Sequence, residues 1–444
     1  MKRALLTLLL ASSLGAEGLD DYVREQMIVA NIPGIAIAVV QEGAVVEMKT
    51  YGTASVEHQC AVTPSTRFQL ASVTKALTGT ALMRLVEEGA LSLDDPVSKF
   101  IADAPESWKP ITIRHLATHT SGLKEAPDLP ASLSSAEAVK KIAALPLQWE
   151  PGTRAAYGNS DFIVLAHIIE RVTGMTFPAF LQRKLLGPLA MTATMFDNAS
   201  ESGRARITAV VPRRSGVYLW SDGVQKTYTF LYPESTYSAG GLFSTIEDVA
   251  KWIVAIDRGT LLKPESLNAM WTAAPKSDFA IGWMTGRYRG QRAVGHSGGP
   301  ALADILRFPD RKLTIIVLQN QRKLYPYLAQ GVADFFLGDL PIARTEPIAD
   351  PNANADLGAE LTNQLRVLID ELGRGIVEPS RFHEADLTTI RDYLMPMIRS
   401  FGPASSFEWI GPGNYRAIHG RKAILWKFEL APDGRVHSFE VEAE

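Results

Sequence analysis

One cysteine, Cys60, stands in 444 residues. A single thiol excludes an intramolecular disulfide framework, a cysteine-built zinc cluster and an iron–sulfur site. Charge of one sign is also lacking: 45 Lys and Arg face 48 Asp and Glu, a formal net charge of -3. That balance gives no general electrostatic hold on nucleic acid. No apolar run approaches the roughly 20 residues that a membrane-spanning helix needs. The composition is otherwise that of a globular protein, with 46% hydrophobic and 21% charged residues. Collagen-like, coiled-coil and wholly disordered chains are excluded. The length implies two to three domains.

The first residues read as a secretory leader. Lys2 and Arg3 precede an apolar run from Ala4 to Leu10, and small residues follow at Ala11, Ser12, Ser13, Gly15 and Ala16. This charged, apolar, small order is that of a signal peptide over residues 1–16, which predicts export to a periplasm or the medium. The mature chain is then expected to hold no integral membrane segment.

Residues 17–340 read as one mixed unit. A helix is expected from Asp20 to Ala30, then strands Ile35–Val40 and Val45–Tyr51 around a turn at Glu42-Gly43. From Val73, apolar residues recur at helical spacing until Gly89, and a second apolar helix runs from Asp161 to Val172, ended by Gly174. Short strands return near Ala280–Trp283, Arg292–Val294, Ala303–Phe308 and Leu313–Gln319. Early and late strands around a helical middle imply a largely antiparallel sheet closed by both ends of the unit, an α+β architecture. Residues 341–356, rich in Pro, Asn, Ala and Asp, read as a linker. Residues 357–444 read as a small α+β domain. Two helical stretches, Leu357–Leu372 and Ala385–Phe401, precede four strands, and Ile424, Trp426, Phe428 and Leu430 alternate as one buried face.

The chemistry-bearing residues fall in three groups. Ser72-Val73-Thr74-Lys75 opens the first apolar helix. Positions i and i+3 share a helix face, so the amine of Lys75 can sit beside the hydroxyl of Ser72. A serine hydroxyl needs such a neighbouring base to act as a nucleophile. Tyr157-Gly158-Asn159 follows Pro151-Gly152, with Gly158 expected to allow a tight turn that brings both side chains to one point. Gly295-His296-Ser297-Gly298-Gly299 lies between two expected strands.

S-x-x-K, Y-x-N and a basic residue–Ser/Thr–Gly triplet, in this order, resemble the serine β-lactamase and penicillin-binding peptidase superfamily. The nearest branch holds class C β-lactamases, D-alanyl-D-alanine carboxypeptidases and family VIII carboxylesterases. The flanks agree: Phe68-Gln69-Leu70-Ala71, Thr118-His119-Thr120-Ser121-Gly122-Leu123 and Ala239-Gly240-Gly241-Leu242-Phe243-Ser244-Thr245. The likeness covers roughly residues 20–337. It implies a β-lactamase/transpeptidase-like fold, an antiparallel sheet flanked by helices plus a helical subdomain. The helix–strand pattern of the C-terminal domain is similar to cystatin-like or nuclear-transport-factor-like modules.

The resemblance also implies roles. Ser72 is the acylated nucleophile. Lys75 and Tyr157 share general-base work, the phenol being expected to ionise more easily beside a cation. Asn159 binds Lys75 and the substrate carbonyl region. His296 steadies Tyr157 and contacts a substrate carboxylate, with Ser297 and Gly298 completing that wall. The backbone N–H groups of Ser72 and Gly299 form the oxyanion hole, such donors being worth about 3–4 kcal/mol each in the transition state. The expected substrates are D-amino-acid peptides, with peptidoglycan stem peptides among them, β-lactams or short esters. A carboxylesterase and a non-catalytic peptidoglycan or β-lactam sensor are the alternatives. No metal and no organic cofactor is implied. His296 stands where the family carries lysine, and histidine is only partly charged at neutral pH. That weakens the grip on a substrate carboxylate and favours a peptidase or esterase over an efficient β-lactamase.

Three other features compete. Gly295-x-Ser297-x-Gly299 fits the nucleophile elbow of α/β-hydrolases, but that elbow needs strand–turn–helix context, and Gly298-Gly299-Pro300 starts a helix poorly. His115 and His119 are spaced i, i+4 but lack the glutamate of the metalloprotease pattern, so a structural role is expected. The aromatic residues from Tyr218 to Tyr237 either line a cleft or pack in the core.

Overall fold

In the computed structural model, residues 18–126, 133–198, 205–221, 223–230, 232–299, 302–322, 328–338, 359–383 and most of 401–443 are described, with scattered positions between them. The expected leader, the expected linker and most of the expected helix Ala385–Phe401 lie outside the described residues. Two compact units divide the chain. One is Pro33–Gly286 with Arg292–Arg322; the other takes in Met1–Ile32, Arg287–Gln291 and Lys323–Glu444.

The larger unit holds a seven-stranded sheet, apart from the Arg287–Gln291 end of one hairpin. Its strands are β1 (Gly34–Gln41), β2 (Ala44–Ser55), β3 (Cys60–Ala61), β4 (Met284–Tyr288), β5 (Gln291–Gly298), β6 (Ala303–Phe308) and β7 (Leu313–Gln319). The spatial order is β4-β5-β6-β7-β1-β2-β3. Antiparallel pairing of β1 with β7, Ile35 opposite Gln319 through Gln41 opposite Leu313, joins the two ends of the unit as the strand pattern anticipates. Both of these central strands are almost wholly buried. Their unbroken apolar runs, rather than alternating ones, fit a sheet covered on both faces.

Two sequence boundaries move. The strand expected at Ala280–Trp283 begins instead at Met284. Residues 280–283 form a reverse turn, Ala280 N–H donating to the Trp283 carbonyl at 2.7 Å. Gly282 has a φ of +73°, and a Cβ there would lie 2.3 Å from the Lys75 carbonyl oxygen. Trp283 points into the core against Trp252 and Trp271. The third motif lies within β5 rather than between strands, so its register is fixed by β6: His296 opposes Ile305 and Ser297 opposes Asp304.

Helix α1 (Thr74–Glu87) runs through the middle of the core, with residues Thr74 to Met83 all buried. Gly79 makes this possible, since a Cβ there would lie 2.4 Å from the Ile281 carbonyl oxygen. The short helix α2 (Ile113–Ala117) and helix α3 (Ser160–Thr173) complete the helical side, α3 ending on Gly174 in the left-handed conformation. Helix α4 (Ile246–Asp257) packs on β1 and β7, capped by the Thr245 hydroxyl.

In the other unit, helix α5 (Ala359–Gly373) precedes a meander of four strands, β8 (Ala404–Gly411), β9 (Asn414–His419), β10 (Lys422–Leu430) and β11 (Val436–Ala443). Ile424, Trp426 and Phe428 share a buried face, and together with Leu365, Leu368, Ile369 and Leu372 of α5 they form a hydrophobic cluster of their own. Among the described residues, no single helix is long and apolar enough to cross a membrane.

Candidate active site

The Ser72–Lys75 motif sits on a bent entry to α1. Ala71–Val73 forms one turn of tighter helix, and Thr74 continues it as α-helix. Ala71, directly before Ser72, is held at a φ of +47°. That left-handed conformation is uncommon for a residue with a Cβ and persists only where the surroundings impose it. Here they do: Leu70 N–H donates to the Leu242 carbonyl at 2.8 Å. Gly298 presses on the same turn, and a Cβ on it would lie 2.1 Å from the Leu70 carbonyl oxygen. The third motif thus runs directly alongside the turn that carries Ser72.

Lys75 is fully buried. Its Nζ lies 3.2 Å from Ser72 Oγ and donates to Asn159 Oδ1 and the Ala239 carbonyl, each at 2.9 Å. It also lies 4.7 Å from the centre of the Tyr157 ring. Burial pulls its pKa from 10.5 down to about 7, against the opposing pull of Glu125 and Asp161. A buried ammonium loses hydration, so the neutral amine gains ground.

Tyr157 corrects one expectation. Burial raises its pKa to about 12, with the Ser72 side chain opposing the rise and the Glu125 charge adding to it. The residue as a whole is 45% exposed, while its ring faces the buried Lys75 amine. Desolvation outweighs any help from Lys75, itself close to neutral, so the phenol is harder to ionise than a free one. Of the two expected bases, the amine is the one poised near neutral pH.

The second motif is held from behind. His119, at a φ of +56°, packs its ring at a tilt against Tyr157, ring centres 4.8 Å apart. Ala156 N–H donates to the His119 carbonyl at 3.0 Å. His119 Nδ1 meets Asp161 Oδ2 at 2.9 Å, and Asp161 also takes a short hydrogen bond from Ser121. Burial raises the Asp161 pKa, while His119 and Ser121 oppose the rise. The i, i+4 histidine pair is therefore split: His115 folds back to cap its own helix with Thr112, and His119 turns toward Tyr157.

Gly158 serves a different purpose from the expected turn, since its φ is not positive. A Cβ on it would lie 2.9 Å from Glu125 Oε2. That oxygen accepts from the backbone N–H groups of Asn159 and Ser160 at 2.8 and 3.1 Å. Glu125 thereby caps α3 and fixes the Y-x-N segment. Sequence reasoning missed it, because its significance depends on a helix start 34 residues further on.

His296 is 4% exposed, and its ring centre lies 5.9 Å from that of Tyr157. Burial, then the Lys75 charge, holds its pKa down to about 3. It is thus neutral rather than partly charged. Nδ1 lies 2.8 Å from the Ser297 carbonyl, which assigns the proton to Nδ1 and leaves Nε2 as acceptor. The Ser297 hydroxyl donates to Asp304 Oδ1 at 2.9 Å. With β6 following it instead of a helix, Ser297 lacks the elbow context.

A further residue lies near the site. A Cβ on Gly240 would fall 2.2 Å from the Tyr232 ring, and burial raises the Tyr232 pKa far above the ordinary value, with Tyr157 adding to the rise and the Ser72 side chain opposing it. Its only sequence signal was its place in the aromatic stretch from Tyr218 to Tyr237. That stretch divides: Tyr232 lies near the site, whereas Tyr237 is buried against Phe196 and donates to Asp197.

Residues 19–332 match the Beta-lactamase family. The putative penicillin-binding protein PbpX of Bacillus subtilis is 28% identical over 314 residues, covering 69% of this chain and 75% of that protein. Protein flp of Staphylococcus aureus is also 28% identical, over 69% of this chain and 63% of its own length. The octameric penicillin-binding protein homologue of Pyrococcus abyssi superposes with a TM-score of 0.65 at 23% identity, over 96% of this chain and 90% of that one. The D-amino acid amidase of Ochrobactrum anthropi does so with a TM-score of 0.60 at 23% identity, over 73% and 98%. These likenesses establish a β-lactamase/transpeptidase-like fold.

Proposed function

The chain belongs to the Beta-lactamase family, and on that premise we propose that it is a serine acyl-hydrolase working through an acyl-enzyme on Ser72. The observation that carries this reading is the meeting of Ser72, Tyr157 and Asn159 around the buried Lys75 amine, itself close to neutral.

In the proposed cycle, neutral Lys75 takes the Ser72 proton as Oγ bonds to the substrate carbonyl carbon. The oxyanion that forms is met by the backbone N–H groups of Ser72 and Gly299. The tetrahedral species collapses, the bond to the leaving group breaks, and Tyr157 relays the proton from Lys75 to the departing atom. Water then repeats the sequence on the acyl-enzyme, giving its proton to Lys75 as the carbonyl–Oγ bond breaks and Ser72 is reprotonated. Asn159 keeps Lys75 in place and faces the substrate's carbonyl region, and the Ser297–Gly298 segment forms the facing wall. No step calls for a metal or organic cofactor.

The substrate class we favour is a D-amino-acid peptide or amide, or a short ester, ahead of a β-lactam. A neutral His296 offers no fixed cation to hold the carboxylate that β-lactams carry, and for the same reason peptides without a free carboxylate beside the scissile bond are favoured over those that end in one. The names of PbpX and of the D-amino acid amidase support the acyl-transfer class, and peptidoglycan stem peptides are candidate substrates within it. The proposed place of action is the periplasm or medium, on the strength of the leader pattern. Residues 17–340 are proposed as the hydrolase domain and 357–444 as an appended module.

The deciding experiment is a panel of D-alanyl peptides, D-amino acid amides, β-lactams and short p-nitrophenyl esters, run on wild type and Ser72→Ala. Turnover lost on substitution, with a transient adduct on Ser72 by mass spectrometry, supports the hydrolase. A permanent adduct without turnover indicates the binding-only sensor instead. N-terminal sequencing of the native protein tests export, and a chain still beginning at Met1 refutes it.

A further inference from the structure

We propose that a cavity walled by the helix Ser135–Ala143, helix α3 and the segment Phe100–Ala104 binds a free amino acid with an apolar side chain. The inference goes beyond the acyl-hydrolase reading and stands apart from it: no residue that meets at Ser72 lines this cavity.

Three elements border one space of about 260 Å³. Ala136, Val139, Lys140 and Ala143 recur at i, i+3, i+4 and i+7, which is one face of their helix. From α3 come His167 and Arg171, one turn apart. Phe100, Ile101 and Asp103 close the third side. The alanines at 136 and 143 leave room that larger side chains would fill. The volume lies below the roughly 300–1,000 Å³ of sites for drug-sized molecules, so the cavity suits a small ligand.

The polar groups around this space are of two kinds. Lys140 and Arg171 are cationic donors and Asp103 is an anionic acceptor. Among the described residues, none of these three side chains makes a hydrogen bond or an ion pair. His167 adds a second acceptor. The Ser135 hydroxyl gives its one proton to Glu170, so the ring donates in the 3.1 Å contact between His167 Nδ1 and Ser135 Oγ. Burial pulls the His167 pKa below its ordinary value against the pull of Glu170, so the ring is neutral and Nε2 keeps a lone pair. Two donors and two acceptors beside an apolar floor match an amino acid group by group. The ligand carboxylate accepts from Lys140 and Arg171. Its ammonium donates to Asp103 and His167 Nε2, and its side chain rests on Phe100, Ile101 and Val139. A plain carboxylic acid would leave Asp103 and His167 without a donor, and a plain amine would leave both cations without an acceptor.

Calorimetric titration of the full chain with leucine and phenylalanine, each in both configurations, tests the site. The protein carries Ser72→Ala, so no turnover adds heat. Saturable binding of at least one of the four is expected. Arg171→Met and Asp103→Asn, both at exposed positions, should each weaken it by roughly tenfold or more, as loss of a hydrogen bond to a charged group does. The acid that lacks only the ammonium, 4-methylpentanoate for leucine or 3-phenylpropanoate for phenylalanine, should bind weaker by a similar factor. No saturable binding up to about 10 mM overturns the proposal. So does an affinity that either substitution leaves unchanged, since the ligand then sits elsewhere, and so does an equal affinity for the deaminated acid. Proton NMR of the unsubstituted cavity gives a reading that no variant's folding can obscure. The His167 Hε1 resonance, assigned with His167→Gln, should shift in step with the calorimetric saturation, and a resonance that stays in place is refuting. The hydrolase reading is untouched by any of these outcomes.

Discussion

Lys75 Nζ lies 3.2 Å from Ser72 Oγ, one turn along the same helical entry. The pairing follows from i, i+3 spacing, but its chemical value comes from burial. A surface lysine at this spacing would be an ammonium with no capacity to accept a proton.

The first prediction concerns pH. Because burial brings the Lys75 pKa to about 7, kcat/KM should rise through neutral pH and fall about tenfold per unit below it. A profile flat from pH 5 to 9 would remove Lys75 as the base. The stability consequence has a definite sign. Between about 7 and the ordinary lysine value of 10.5, the unfolded chain binds more protons than the native one. The contribution of Lys75 therefore favours folding more as pH rises through that window. Equilibrium unfolding of wild type and Lys75→Met across the same pH range measures it.

Tyr157→Phe should lower kcat by about 10²–10⁴-fold while leaving the fold intact. The ring still packs against His119, so only the hydroxyl relay is lost. Circular dichroism and steady-state kinetics check both halves.

Glu125→Gln keeps an oxygen to accept from Asn159 and Ser160 but removes the charge. That charge raises the Lys75 pKa, so the acid limb should move to lower pH. A limb that stays in place, measured on one substrate in one buffer series, would show that Glu125 does not act on the amine.

Gly298→Ala should abolish activity and destabilise the chain by about 1–3 kcal/mol, the usual cost of overpacking. Its Cβ would lie 2.1 Å from the backbone oxygen of Leu70, which has no flexible end to move aside. Denaturant unfolding together with Ser72 labelling tests the two effects separately.

Neutral His296 leads to the last prediction. Nitrocefin should turn over far more slowly than an uncharged ester of similar reactivity. Parity between the two would show that carboxylate recognition does not depend on a cation at the third motif.

Much of this fold is legible in the order of its residues. Apolar periodicity, Gly89 and Gly174 marked the two long helices. The Glu42-Gly43 turn marked the first hairpin, where both residues take positive φ. Three short motifs marked the residues that meet at the nucleophile. Those features are local, and local spacing is what a sequence displays. What only the tertiary structure decided was protonation and support. Whether Lys75, Tyr157 and His296 are charged depends on burial by segments distant in sequence. The same holds for Glu125 at the start of α3, for Tyr232 against Gly240 and for Gly298 on the nucleophile turn. Each acts through contacts made only when the chain closes on itself, because desolvation and steric fit are properties of neighbours in space.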